Sequence, residues 1–194
     1  MLDKLSLMGS GPKVITERLI LRPPRISDWE KWSDVRAESR DFLVPWEPVW
    51  TMDSLTKASF RARLRRYARD VKDDMGQAFF LIDRESEDII GGITLGNIRR
   101  GVAQTGTLGY WTGKRYARKG YMFEALCGLI PVLFSEFGLR RIEAACLPSN
   151  IPSSRLLEKV GFSKEGLARE YLCINGVWHD HSLYALLRTD RIAP

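Results

Sequence analysis

A mixed α/β (α+β) domain, with seven strands in a mostly antiparallel sheet and about four flanking helices, is predicted by three observations. Short runs rich in branched and aromatic residues alternate with amphipathic stretches at helical spacing. The Asn175-Gly176 pair between two apolar runs is a strong hairpin signal, because both positions of a tight type I′ turn need positive φ. Finally, Thr107 to Ala125 reads as an apolar strand that breaks at Gly113, crosses a basic turn and enters a helix at Gly120. The 194 residues, 44% of them hydrophobic, suit one globular domain, taken as 13–190, preceded by a flexible end at 1–12.

The elements follow in order. Val14 to Pro24 alternates and is stopped by Pro23 and Pro24, which predicts a single first strand. Ser27 and Asp28 are N-cap candidates for a helix carrying Trp29, Trp32, Val35 and Arg36 on one stripe and ending near Arg40. Asp41 to Trp50 then forms an aromatic loop held open by Pro45 and Pro48, with Glu47 its acid. A second helix, 54–73, has Leu55, Ala58, Ala62, Tyr67 and Val71 as inner positions, and its outer face is basic: Lys57, Arg61, Arg63, Arg65, Arg66, Arg69 and Lys72. Two antiparallel strands lead to the central strand before the basic turn, where Gly109 marks a candidate bulge. The long helix after Gly120 contains Pro131 and stops at Gly138. A fifth strand precedes a short helix that Asn150 caps and Gly161 ends, and the closing hairpin supplies the last two strands.

The chemistry these elements permit starts at the basic turn. The first N–H groups of a helix lack partners and its dipole favours negative charge, so a strand delivering a glycine and Lys114, Arg115, Arg118 and Lys119 to a helix start is an anion-binding device. The formal charge of +6 favours an anionic partner as well. No apolar run is long enough to span a bilayer, the first residues lack the apolar core of a secretory signal, and the three cysteines show no ligand spacing; a cytoplasmic protein with reduced thiols and no membrane partner is expected. His179 and His181 flank Asp180 without a visible third ligand, so no metal is assigned.

Several of these stretches also share their wording with a known family. LGYWTGKRYARKGYMFEAL resembles the acetyl-CoA-binding segment of the GNAT N-acetyltransferases, with Ala117 at the family's Gln or Arg position, Gly120 matching its glycine, and Met122 at its small-residue position. Asn150, Ser153, Leu156, Gly161 and Phe162 match the family's second signature. TERLILRP, FLxPWEP and EGLAREYLxINGxWxDHxLYAL resemble the RimJ-type ribosomal-protein alanine N-acetyltransferases. The resemblance implies a sheet splayed between its fourth and fifth strands, and acetyl-CoA bound by Gly109, Tyr110, Trp111, Thr112, Ala117, Arg118, Lys119, Gly120, Tyr121, Met122, Asn150 and Ser153. It implies acetyl transfer to the N-terminal alanine of a ribosomal protein, with Trp46, Glu47 and Tyr171 on the acceptor side.

For catalysis, Glu47 and Glu170 are the candidate bases, and Ser153 is the candidate donor to the departing sulfur, since Leu157 stands where related enzymes carry a tyrosine acid. An α-amino group, with on the order of a tenth already neutral at pH 7, needs only a weak base. The basic helix is expected to meet ribosomal RNA or an acidic surface. Two rival readings stay open: acetylation of a small-molecule amine, and a binding module of this fold that works in ribosome assembly with little catalysis.

Overall fold

A computed structural model describes residues 11–192. The flexible end expected for residues 1–12 lies, over 1–10, outside the described residues. Eight strands form one sheet in the order β1-β2-β3-β4-β5-β6-β8-β7, and every neighbouring pair is antiparallel except β5 and β6. The eighth strand arises at the start of the chain. The single strand expected there is a small hairpin, β1 (Val14–Ile15) and β2 (Leu19–Arg22), because the Thr16 side chain accepts the Leu19 N–H and turns the backbone.

Three α-helices precede the next strand, the first two being α1 (Trp29–Glu38) and the single turn α2 (Arg40–Leu43). Asp28 occupies the N-cap position of α1 but makes no side-chain bond to that helix; with Ser27 it lies in a 3-10 turn, where its carboxylate accepts the Arg25 N–H at 2.7 Å and both terminal nitrogens of Arg22. α3 (Lys57–Lys72) is capped by Thr56, whose hydroxyl accepts the Ser59 N–H. The inner face expected for this helix is turned. Phe60 and Leu64 are buried, Leu55, Tyr67 and Val71 are half-buried, and Ala58 and Ala62 face solvent, since the larger side chains take the places against the sheet.

β3 (Gln77–Asp83) shows how one strand serves two cores. Side chains alternate across a strand, so Phe79 and Leu81 join the cluster beneath the long helix, whereas Phe80 and Ile82 meet Trp32 and Phe60 on the other face. β4 (Ile89–Arg99) and β5 (Thr105–Thr112) continue the sheet. α4 (Tyr121–Ser135) runs through Pro131 and buries Leu126, Leu129, Ile130 and Leu133, spaced three and four apart, each stabilising the fold by roughly 1.5–3 kcal/mol. β6 (Arg141–Cys146), α5 (Ile151–Val160), β7 (Ser163–Ile174) and β8 (Val177–Leu187) complete the chain. Five α-helices are thus described, the additional one being the single turn α2. Among the described residues no helix is long and apolar enough to cross a membrane.

Candidate active site

The sheet opens where β5 and β6 part. They pair in parallel only from Thr105 with Arg141 to Leu108 with Ala144. Beyond that point β5 stays with β4, Thr112 opposite Gly91, while β6 stays with β8, Cys146 opposite Ser182. The β6-facing edge of Gly109 to Thr112 therefore has no strand partner, leaving backbone donors and acceptors for something that enters there. The bulge expected at Gly109 is elsewhere: the β4–β5 register is continuous through it, and the irregularity falls between Gly96 and Arg99, with Asn97 at φ 50°.

The helix that follows β6 brings side chains to this opening. Asn150 caps α5 by accepting the Ser153 N–H at 3.2 Å, Pro152 fits its first turn, and Gly161 ends it at φ 116°. The Ser153 hydroxyl lies 2.7 Å from the Tyr110 hydroxyl, so one hydrogen bond ties the free edge of β5 to the start of α5. Burial pushes the Tyr110 phenol well above its ordinary range, and Ser153 only partly offsets this. Leu157 is buried, and the phenol beside Ser153 comes from the strand, Tyr110. Cys146 is also buried nearby, with Sγ 3.4 Å from the Ser154 hydroxyl.

The basic turn is held from three sides. Ser39, itself buried, accepts the Lys114 N–H at 2.9 Å, and Tyr116 donates to Asp88 at 2.9 Å. The Tyr116 phenol is pushed up to about 12, first by burial and then by that carboxylate. From the β1–β2 turn, Arg18 donates to the Lys119 carbonyl at 3.1 Å, lies 4.3 Å from the Tyr121 ring centre and pairs with Glu124 at 2.6 Å. Arg118 and Gly120 adopt positive φ, 61° and 81°, which aims the chain into α4.

Glu124 is the first residue of α4 whose N–H bonds back, to Gly120, so the N–H groups of Tyr121, Met122 and Phe123 have no intrahelical partner. Lys114, Arg118 and Lys119 are exposed, and none forms an ion pair among the described residues. Met122, expected to touch a ligand, points its side chain into the core, so only its backbone is left for one. Replacing Gly120 with alanine places a Cβ 3.4 Å from the Arg18 guanidinium at a φ that costs an L-residue about 1 kcal/mol. We expect roughly tenfold weaker acetyl-CoA binding from Gly120→Ala in a titration calorimeter, with unaltered acceptor KM.

A second grouping surrounds the aromatic loop. Arg36, 8% exposed, forks onto both oxygens of Glu47, one contact being 2.9 Å, and Trp50 donates its indole N–H to the same carboxylate at 2.8 Å. The guanidinium carbon lies 4.3 Å from the Trp50 ring centre and 4.9 Å from that of Trp111. The Asn175 N–H donates to the Glu47 carbonyl at 3.0 Å, joining the loop to the tip of the β7–β8 hairpin. A cavity of about 310 Å³ lies at this loop, lined by Arg40, Asp41, Val44, Pro45, Val49, Trp50 and, from the hairpin tip, Asn175.

The structure thus brings Tyr110, Asn150 and Ser153 together, and gathers Arg118 to Met122 at one helix start. Trp111 turns its ring toward Arg36, and Gly109 and Thr112 lie on the open stretch of β5. Ala117 ends the 3-10 turn of the basic segment, half-buried. Trp46 and Tyr171 are exposed, and the Tyr171 ring lies edge-on to His181, centroids 5.8 Å apart. Glu170 lies at φ 43° where the β7–β8 register shifts, its N–H bound to Asp180, on a strand separated from β6 by β8. His181 is buried with Nδ1–H donating to the His179 carbonyl at 2.9 Å, and no group of three His, Cys, Asp or Glu that could hold a metal occurs among the described residues. Sequence reasoning missed Arg36, Arg18 and Ser39 as parts of the site. An arginine on an apolar stripe was the visible signal for the first; nothing local marked the other two.

Known proteins share this fold. The profile of the Acetyltransferase (GNAT) domain matches residues 18–163, which include β2 through α5 and the whole of the opened edge. The chain belongs to the GNAT acetyltransferase family. It is 38% identical over 181 residues to the [ribosomal protein uS5]-alanine N-acetyltransferase of Escherichia coli (strain K12), covering 92% of this chain and 93% of that one. It is 36% identical over 172 residues, 89% of this chain and 95% of the other, to a Bacillus subtilis (strain 168) protein named "Probable N-acetyltransferase YjcK". Among solved structures, Mycobacterium smegmatis RimJ in complex with CoA-disulfide superposes with a TM-score of 0.85 at 30% identity, over 91% of this chain and 88% of that one.

A GNAT acetyltransferase uses acetyl-CoA as co-substrate, and the site fits it. The partnerless N–H groups at the α4 start and three unpaired cations suit phosphates, and the free β5 edge suits an amide-bearing arm.

Proposed function

We propose that this acetyltransferase acetylates the N-terminal α-amino group, that of alanine, of a ribosomal protein. The hydrogen bond between Tyr110 and Ser153 at the open edge of β5 is the observation that carries the catalytic part of this reading. The 38% identical Escherichia coli relative, named for ribosomal-protein alanine acetylation, supports the acceptor, and so does an acceptor-side loop locked by Arg36, Glu47 and Asn175. An acceptor of this kind places the protein in the cytoplasm.

In the reaction the neutral amine nitrogen bonds to the thioester carbon, and the C–S bond then breaks. The nitrogen gives up one proton and the sulfur gains one, so the exchange balances. In this reading Tyr110 stays protonated; we assign its O–H as the donor to Ser153, 2.7 Å away, which leaves the serine O–H to donate to the developing thiolate. Backbone groups of the free edge around Tyr110 and Trp111 face the developing oxyanion. Glu47, already committed to Arg36 and Trp50, holds the loop that presents the acceptor. Glu170 retains an unengaged carboxylate and is our candidate proton acceptor, reached through water from the outer strand.

Thiol release from acetyl-CoA with an acceptor panel tests the assignment: peptides beginning with Ala, Ser or Met, a blocked peptide with an internal lysine, and spermidine. Turnover at least tenfold faster on the free Ala peptide is expected, because the lysine amine is less than roughly a thousandth neutral at pH 7. Turnover confined to spermidine or lysine overturns the acceptor, and CoA binding without turnover on any acceptor overturns the catalytic reading. For Glu170→Gln we expect kcat/KM to fall at least about tenfold at pH 7; an unaltered kcat/KM removes Glu170 from the mechanism.

A further inference from the structure

The exposed face of α3 carries more charge than a solvated helix requires. The chain has 30 basic and 24 acidic residues; α3 holds seven of the basic ones and a single acid, Asp70, so the rest of the chain carries 23 of each. One helix therefore accounts for the whole net charge of +6. Lys57, Arg61, Arg65 and Arg69 follow one another four residues apart, which stacks like charges along one side of the helix, and all four are exposed. No acid stands in the first turn to balance the dipole, and no cation of α3 takes part in an ion pair among the described residues. Both features work against helix formation, so packing must hold the element. Phe60 is fully buried 4.8 Å from Trp32, and Trp29 donates its indole N–H to Leu55 just before the helix.

We infer that this face is a docking surface for RNA. The partner must be anionic, and five of the seven cations are arginines, whose planar fork matches phosphate and stacks on bases. A membrane surface fits less well: lipid-binding helices expose large apolar residues beside their cations, whereas here the exposed apolar residues are Ala58 and Ala62, Phe60 and Leu64 are buried, and Tyr67 and Val71 are half-buried. The inference does not depend on the identity of the acceptor.

Binding of the full chain to a fluorescent RNA hairpin between 50 and 200 mM salt tests it, alongside Arg61→Gln/Arg65→Gln/Arg69→Gln. Four phosphate contacts predict affinity falling roughly 100-fold across that range; the triple variant, with one contact left on this stripe, should lose under about fivefold. Acetyl transfer to a short peptide should match in both, which certifies the fold. The Arg→Lys version at the same three positions, which keeps the charge, should restore the salt slope. Absence of salt-dependent RNA binding by the native chain overturns the inference. So does an unchanged slope in a triple variant active on peptide, failure of the lysine version to restore the slope, or tighter binding to phosphatidylglycerol vesicles than to RNA.

Discussion

Ser153→Ala lowers kcat about 100-fold with acetyl-CoA KM within about threefold, the expected result if its hydroxyl stabilises the thiolate only as the C–S bond breaks. Tyr110→Phe costs less, about tenfold in kcat, since Ser153 keeps its own proton but loses its orienting donor. The double variant should resemble Ser153→Ala alone, because the two hydroxyls act as one unit. Additive losses would show that Tyr110 acts elsewhere. The pH dependence follows from burial, which favours the neutral phenol in the folded protein. Below about pH 10 both folded and unfolded chains keep this proton; above it the unfolded chain releases it while the fold does not, so stability declines as pH rises past 10. Urea midpoints of the native protein and Tyr110→Phe from pH 7 to 11 should converge or cross above pH 10, and parallel curves would contradict the buried phenol.

Arg36→Met destabilises the protein by about 3 kcal/mol and raises acceptor KM roughly tenfold, leaving acetyl-CoA KM unaltered. The substitution removes the guanidinium that forks onto Glu47 and leaves a largely buried carboxylate with only the Trp50 N–H. Arg36 Nε is itself buried without a hydrogen-bond partner, so the stack on Trp50 and Trp111, more than full satisfaction of its donors, keeps it in place. Adding Glu47→Gln to Arg36→Met should return part of the stability by removing the stranded charge, while acceptor KM stays high because the loop has lost its anchor. Denaturant midpoints and two-substrate kinetics separate these effects. Unchanged acceptor KM would mean that the loop does not border the acceptor.

Much of the fold was legible because its signals are local. Asn175-Gly176 forms the β7–β8 turn, with positive φ at both residues, and Gly120, Gly138 and Gly161 each take the left-handed conformation where a helix begins or ends. The inward face of α3 was misread because alanine and leucine carry the same pattern sign as phenylalanine, and only the space above β3 decides which is buried. The β1–β2 hairpin was missed because the Thr16 side chain makes a turn that needs neither glycine nor proline.

The site divides the same way. The basic turn that leads into α4 is contiguous in sequence, so its glycine, cations and helix start could be read together. The contacts that shape it join residues far apart: Arg18 with Glu124, Ser39 with Lys114, Tyr110 with Ser153. By itself, the sequence determined the order of the elements from β3 onward, the basic turn at the start of α4, the α5 cap and the concentration of charge on one helix, because each is a matter of local backbone geometry or composition. Only the tertiary structure decided that β5 parts from β6 after Leu108, that a phenol from the strand stands beside Ser153, and that Arg36 engages Glu47. Those depend on side chains meeting across the sheet, where packing and burial choose among partners that local sequence leaves equivalent.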